Sequence, residues 1–543
     1  MTIFWEGVLV IGICYAAVFA LGIWSSCQME GHSELEMMNA GKSLGVIVGT
    51  ITLVGTWVGG GYITGVSERI YEGGLINVQV PVGYSVAFLI GAAFFVRPMR
   101  ERDYVTLIDL FQELYGMRYG AVLVFPVLMA EFFWAASVLN SLGTTLEVIL
   151  HIDPLYAIMI SSFFAGLYTI IGGLVSVSYT DIAQLAFIIL GLVLAAPFVA
   201  HSPLVDTSRK SDFMGHIETG HIGTYIDDYI TLFLGGIPLQ SYFQRVFSIK
   251  NTELAQRMSV WSVIGCGLIA IPSTLMGYYA LKTDWEKVEG YGKQVPEEDY
   301  VLVLPLVLRY LTPKWVGVFG MGAVSGAVMA SADSALLASS SMLTRNVYKH
   351  CIRVEAKDFE VVLVLRITIA IVTCLATMIA LCLTTVYHLA FLSTDLVFVM
   401  IFPQLTICLY FADHTNVYGS FFAYLYGFIM RLTAGEPHFG IPCLIKYPLF
   451  DYERHTQGFP YRTTIMLTSA ALFFLVSMLA EYLFVTKGII NPKFDFLRAF
   501  PEIWPIEPMS AESRVKLRVP SQYPDGNYPA GQRPSKFRLI LEH

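Results

Sequence analysis

The chain has 543 residues, of which 55% are hydrophobic and 14% charged, with a net charge of −8 and a mean hydropathy of +0.61. Soluble proteins carry about 25% charged residues, so the surplus apolar surface requires lipid. A soluble domain is excluded, and no basic stripe interleaved with aromatics points to nucleic acid.

Apolar runs of roughly 20 residues, long enough to cross a hydrocarbon core ~30 Å thick, recur near 4–25, 44–66, 74–96, 120–148, 154–173, 181–201, 229–246, 258–281, 314–343, 360–384, 386–411, 415–433 and 463–485. These thirteen runs predict an all-α membrane protein. The first lacks a basic start and a small-residue cleavage site, which predicts a retained helix and a chain that begins at Met1.

Orientation follows from lysine and arginine in short loops. Arg97, Arg100, Arg102 and Arg118 follow the third run, Arg245, Lys250 and Arg257 the seventh, and Arg345, Lys349, Arg353 and Lys357 the ninth. All three loops fall on one side, which predicts that side to be cytoplasmic, the N-terminus extracellular and the C-terminus cytoplasmic. The acidic loop from Lys282 to Asp299 then faces out. Residues 1–486 read as one membrane domain. Residues 487–543, rich in proline and charge from Asn491 onward, read as a largely disordered cytoplasmic tail.

Two runs are interrupted: Gly55-Thr56-Trp57-Val58-Gly59-Gly60-Gly61 in the second and Leu234-Gly235-Gly236-Ile237-Pro238 in the seventh. They open two successive groups of five spans. Inverted five-plus-five repeats, each starting with a broken helix, are the arrangement of many secondary transporters, with solute and ions bound where the helices unwind. Close helix packing is the plainer use of such glycines.

Ionisable groups within spans are expensive and mark functional sites by default. Asp333 lies mid-span beside Ser331 and Ser334, and Asp181 opens the sixth span in Ser178-Tyr179-Thr180-Asp181. These hard oxygens suit a hard cation, or else the carboxylates are satisfied by neighbouring hydroxyls. Trp57, Tyr84 and Trp134 come from three different spans, and aromatic faces hold a cation without hydrogen bonds. Neither a nucleophile–base arrangement nor a histidine-rich metal motif suggests an enzyme.

From the first span to about residue 485, the chain resembles the sodium/solute symporter family, and within it the members that carry choline. The resemblance rests on Thr56-Trp57-Val58-Gly59-Gly60-Gly61-Tyr62-Ile63, Gly83-Tyr84-Ser85, Phe133-Trp134-Ala135-Ala136, Gly172-Gly173-Leu174 with Tyr179-Thr180-Asp181, the Leu234–Pro238 break, Tyr242-Phe243-Gln244-Arg245-Val246 and Ser331-Ala332-Asp333-Ser334. It implies a LeuT-like core and inward, sodium-driven symport of choline or a related small organic cation across the plasma membrane, with chloride as a further requirement. It places one sodium among Gly55, Val58, Ala327 and Ser331, and a second at Asp181, Asp333 and Ser334. It places the choline cage at Trp57, Tyr84, Trp134 and a tryptophan after the second break.

Two positions depart from that pattern. Leu239 stands where the last tryptophan is expected, and losing a cation–π contact of ~1–2 kcal/mol would weaken choline binding roughly ten- to thirtyfold. Ala330 stands where a serine hydroxyl is expected to face sodium, and the lost oxygen should loosen the ion site, though water can replace one ligand. These departures leave open a symporter of the same fold for another small solute, and a non-transporting sensor or ion-conducting relative.

Overall fold

The structure is a computed structural model that describes residues 5–27, 33–209, 211–383 and 385–500. Among the described residues it is helical throughout, apart from loops and four isolated β-bridges. The helices that build the body are α1 (Trp5–Cys27), α2 (Glu34–Asn39), α3 (Val46–Trp57), α4 (Gly60–Gly73), α5 (Val80–Ile90), α6 (Val124–Leu150), α7 (Pro154–Ala200) and α8 (Ile222–Gly235). They continue with α9 (Gln240–Ser248), α10 (Thr252–Leu281), α11 (Lys314–Met342), α12 (Asp358–Cys382), α13 (Val386–Met400), α14 (Phe402–Tyr410), α15 (Val417–Thr433) and α16 (Tyr461–Glu481).

Each of the thirteen apolar runs falls on one of these helices or on a broken pair. Among the described residues, eight helices are long and apolar enough to cross a membrane, and up to ten if each bent pair counts as one span. The outer surface is apolar, with Phe163, Leu190, Leu268, Met378 and Leu475 exposed. The interior is rich in buried serine, threonine and carboxylate. That inversion of the soluble pattern is what a lipid solvent selects.

The spans expected at 154–173 and 181–201 form one helical run, α7, which changes direction at Gly173 (φ 58°, ψ −175°). An L-residue is strained at that positive φ. A Cβ there would also lie 2.9 Å from Met37 Sδ, so glycine permits both the turn and the close approach of α2. The helix resumes at once, and the second part of α7 therefore spans from Gly172 rather than from residue 181.

The first interruption is real. α3 and α4 meet at 48°, with Val58 (φ −88°, ψ 58°) and Gly59 (φ −101°, ψ −158°) between them. The glycines here serve packing rather than positive φ. A Cβ on Gly59 would sit 1.9 Å from Ser331 Oγ, one on Gly60 2.3 Å from Ser141 Cβ, and one on Gly61 2.6 Å from Ser137 Oγ. The break is thereby wedged between α11 and α6, while α7, α10 and α13 also pack on the α3–α4 pair.

Three basic loops meet on one face. Arg100 Nη2 donates to the Ile249 carbonyl at 2.8 Å, and Asn346 Nδ2 donates to Asp109 Oδ1 at 2.8 Å. Arg345 pairs with both Asp109 and Glu34, and Lys349 with Glu34. Burial alone would raise both carboxyls, but the Arg345 guanidinium, joined at Glu34 by Lys349, holds them below their ordinary values. The loops after the second, sixth, tenth and twelfth runs meet on the opposite face, where Leu75 N donates to the Phe213 carbonyl at 2.7 Å and His388 Nε2 contacts Glu436 at 3.2 Å. Residues 487–500 are held against the body: Asp495 is buried, accepting from Tyr418 Oη at 2.9 Å and from the Ala499 amide at 2.9 Å. The rest of the tail, 501–543, lies outside the described residues.

Gly59→Ala is expected to destabilise the fold by about 1–3 kcal/mol, the cost of overpacking a filled interior. Gly267→Ala, on α10 with no atom near the added methyl, should be neutral or slightly stabilising. Thermal unfolding of the two purified variants in detergent checks the contrast.

Candidate substrate and ion site

The last turn of a helix leaves its carbonyls without amide partners, and at the first break the missing donor comes from α11. Ser331 Oγ lies 3.0 Å from the Gly55 carbonyl and 2.8 Å from that of Thr56. The Tyr62 amide, which a continuous helix would direct to Val58, donates to Gly59 instead. The Val58 carbonyl is thus turned out of the helical ladder. Gly55, Val58 and Ser331, expected around one sodium, are brought together. Ala327 lies on α11, one turn before Ser331; its side chain is outside the described residues. The Ala330 methyl faces Gly55, where a Cβ would be 3.8 Å from it.

The aromatic residues also converge. Trp57, Tyr84 and Trp134 are all buried. Trp57 meets Tyr84 edge-on with ring centroids 4.4 Å apart, and Trp134 at 5.8 Å; Tyr84 and Trp134 are 5.9 Å apart. Tyr84 Oη donates to the Ala390 carbonyl at 3.1 Å, which fixes α5 against α13. The rings touch one another, so a cation can enter only if they part. Leu239 is buried at the start of α9. The second break approaches the same cluster through Gly236, where a Cβ would lie 3.4 Å from Tyr84 Cδ1 and 2.9 Å from Ala87 Cβ.

One aromatic wall was missed in the sequence. Phe88 lies one helical turn after Tyr84, meets Trp57 at 5.1 Å, and stacks on Tyr242 of α9 at 5.5 Å. Its i, i+4 spacing from Tyr84 was the available signal. Glu131 was missed too. It is buried one turn before Trp134, and its Oε1 accepts the Ser241 amide at 2.8 Å, capping α9 just after the second break.

Asp181, Asp333 and Ser334 are all fully buried. Ser334 Oγ accepts from Thr56 Oγ1 at 3.1 Å and from Arg245 Nη2 at 2.5 Å. Arg245 Nη2 is 3.8 Å from Asp181 Oδ2, and Asp181 lies against Gly55. Asp333 acts on Arg245 electrostatically. The second expected sodium cluster is therefore assembled around a guanidinium that the sequence placed in a loop.

On the face opposite the basic loops, a polar cavity of about 620 Å³ is lined by residues including Glu72, His221, Asp228, His388, Glu436 and Arg462. At its base, Arg431 holds Asp395 at 2.6 Å and Glu436 at 2.7 Å, and Arg462 joins Asp395 to Asp228. These ion pairs tie α13, α15 and α16 together above the aromatic cluster.

Two interrupted helices facing one aromatic and carboxylate-lined centre define a secondary transporter. The profile of the sodium:solute symporter family matches residues 38–427, and the chain belongs to that family. It is 40% identical over 514 residues to the human protein named high affinity choline transporter 1, covering 91% of this chain and 88% of that one. It is 42% identical over 502 residues to the high-affinity choline transporter 1 of Drosophila melanogaster, covering 92% and 82%. A solved sodium-coupled sialic acid symporter, in a substrate-bound outward-open state, superposes with a TM-score of 0.68 at 14% identity, over 87% of this chain and 97% of that one. That likeness shows the LeuT-like fold.

Asp395→Ala leaves Arg431 and Arg462 buried with less compensating charge, and breaking such a buried pair costs about 3–5 kcal/mol. A large drop in thermal unfolding temperature in detergent is expected. Arg454→Ala, at an exposed pair with Glu218, should leave it almost unchanged.

Proposed function

We propose that this chain imports choline together with sodium across the plasma membrane, by alternating access around the break at Val58–Gly59. The observation that carries the reading is the meeting of Trp57, Tyr84 and Trp134 from three helices, centroids 4.4 to 5.9 Å apart, at the interrupted helix. Such faces suit a quaternary ammonium, which offers no hydrogen-bond donor on its charged end. The naming of relatives at 40–42% identity supports the same substrate. Phe88 adds a ring beside Trp57 and offsets part of what Leu239 removes.

Sodium is the co-transported ion. One ion is held by the Gly55 and Val58 carbonyls with Ala327 and Ser331, and the hydroxyl–carbonyl bonds at Ser331 support this by placing hard oxygens of both helices in one spot. The Asp181, Asp333 and Ser334 cluster serves a second ion. The basic face is cytoplasmic, as the concentration of Arg100, Lys250, Arg345 and Lys349 supports. The closed Glu34–Asp109–Arg345–Lys349 cluster is then the inner gate, and the 620 Å³ cavity the entry from outside. Each net positive charge carried inward releases ~2.3 kcal/mol per 100 mV of inside-negative potential. Chloride joins the cycle as a requirement of transport.

Cells expressing the chain should accumulate labelled choline saturably in sodium medium and not when lithium or a large organic cation replaces sodium. Solute-evoked currents without accumulation would overturn the import reading. Leu239→Trp should lower the KM for choline about tenfold, the worth of one desolvated cation–π contact; an unchanged or higher KM would count against the cage. Ser331→Ala should raise the sodium concentration for half-maximal uptake severalfold, read from sodium titrations at fixed choline on the protein that reaches the surface.

A further inference from the structure

Trp57 ends α3 at the first break and is 2% exposed, and its Nε1 has no hydrogen-bond partner. Native interiors pair nearly all buried polar atoms, and a donor left unpaired bears the full cost of its desolvation. The buried tyrosines of the same region follow that rule. Tyr62 Oη donates to the Cys266 carbonyl at 2.9 Å, Tyr84 Oη to the Ala390 carbonyl at 3.1 Å, and Tyr242 Oη shares a hydrogen bond with Ser259 Oγ at 2.9 Å. The exception falls on the ring that touches Tyr84, Phe88 and Trp134 at once.

Those neighbours cannot supply the missing acceptor. Phe88 carries no polar side-chain atom, Trp134 carries a donor only, and the Tyr84 hydroxyl is turned to Ala390. A ring face is a weak acceptor beside an oxygen. The indole N–H lies in the plane of the ring, where the aromatic quadrupole is positive, and the negative face lies at right angles to it. A quaternary ammonium is therefore drawn to a face and kept away from this edge. The opposite end of the solute is what the edge can bind. Because an indole only donates, the atom it binds has to accept.

We propose that the Trp57 Nε1 edge donates to an acceptor oxygen of the solute while the ammonium rests on the faces of Tyr84 and Trp134. The solute class is then an ammonium ion with an oxygen on a short linker, and a tetraalkylammonium ion of the same shape is disfavoured. The inference rests on the proposed choline reading and deepens it by assigning the uncharged end of the solute. Aromatic faces alone do not separate choline from an ion in which a methyl replaces the hydroxyl. A donor fixed in the wall does, because the oxygen-free ion leaves it buried and unpaired.

The test measures competition against labelled choline in sodium medium, on membranes carrying full-length wild type or Trp57→Phe. The competitors are choline and trimethylpropylammonium, in which a methyl replaces the hydroxyl. Wild type should bind choline about tenfold more tightly, the effect of one hydrogen bond whose loss strands a buried donor. Trp57→Phe removes the N–H and keeps an aromatic face, so it should weaken choline and bring the ratio to within about twofold of unity. A Trp57 that acts through its face alone weakens both competitors alike and leaves the ratio as in wild type, and that result overturns the proposal. Should Trp57→Phe not fold, wild type decides with the methyl ether of choline, whose oxygen accepts but cannot donate. The ether should compete within about threefold of choline, and an ether as weak as trimethylpropylammonium overturns the proposal. Wild type that binds no choline overturns the choline reading and this inference together, whereas choline binding with a wild-type ratio near unity overturns this inference alone.

Discussion

The hydrogen bonds from Ser331 to the Gly55 and Thr56 carbonyls are the constraint around which the rest of the molecule is arranged. A helix interrupted inside an apolar body exposes backbone groups that cost several kcal/mol each if left unpaired. Here the donor comes from a different helix, 275 residues further along the chain. The approach needs the bare Gly59, because any side chain would collide with Ser331 itself. The satisfied break can therefore persist inside the apolar body.

From that fixed point two clusters form around adjacent residues of the broken helix. Trp57, the last helical residue before the break, turns into the aromatic group with Tyr84, Phe88 and Trp134. Thr56 turns toward Ser334 and Arg245. Adjacent residues on one helix end thus face the aromatic cluster and the carboxylate cluster. The second break adds to both: Gly236 lies against Tyr84, and α9 carries Tyr242 and Arg245. The polar ends of the molecule complete the arrangement, with paired arginines and carboxylates closing each face in a different pattern.

Much of this was legible in the residues. The thirteen apolar runs, the position of the first break and the aromatic triad follow from hydropathy, glycine clustering and motif. Other features had no local signature. Phe88 is one phenylalanine among 36, distinguished only by its one-turn spacing from Tyr84. Arg245 was counted as a loop cation for orientation, because the extent of the second break and the helix after it is not written in hydropathy; α9 is polar in sequence and fully buried in space. The two expected spans at 154–173 and 181–201 merged into one run because Gly173 turns the chain within a single residue, which composition does not distinguish from a loop.

The sequence by itself determined the solvent, the helical class, the places where helices break and the family of the chain, since each of these depends on residue type and spacing along the chain. Only the tertiary structure decided that the break is held by a hydroxyl from α11, that Asp181 and Ser334 already share a guanidinium, and that the ring beside Trp57 is Phe88. Those are contacts between residues far apart in the chain, and their distances are set by how several helices pack together rather than by any one segment.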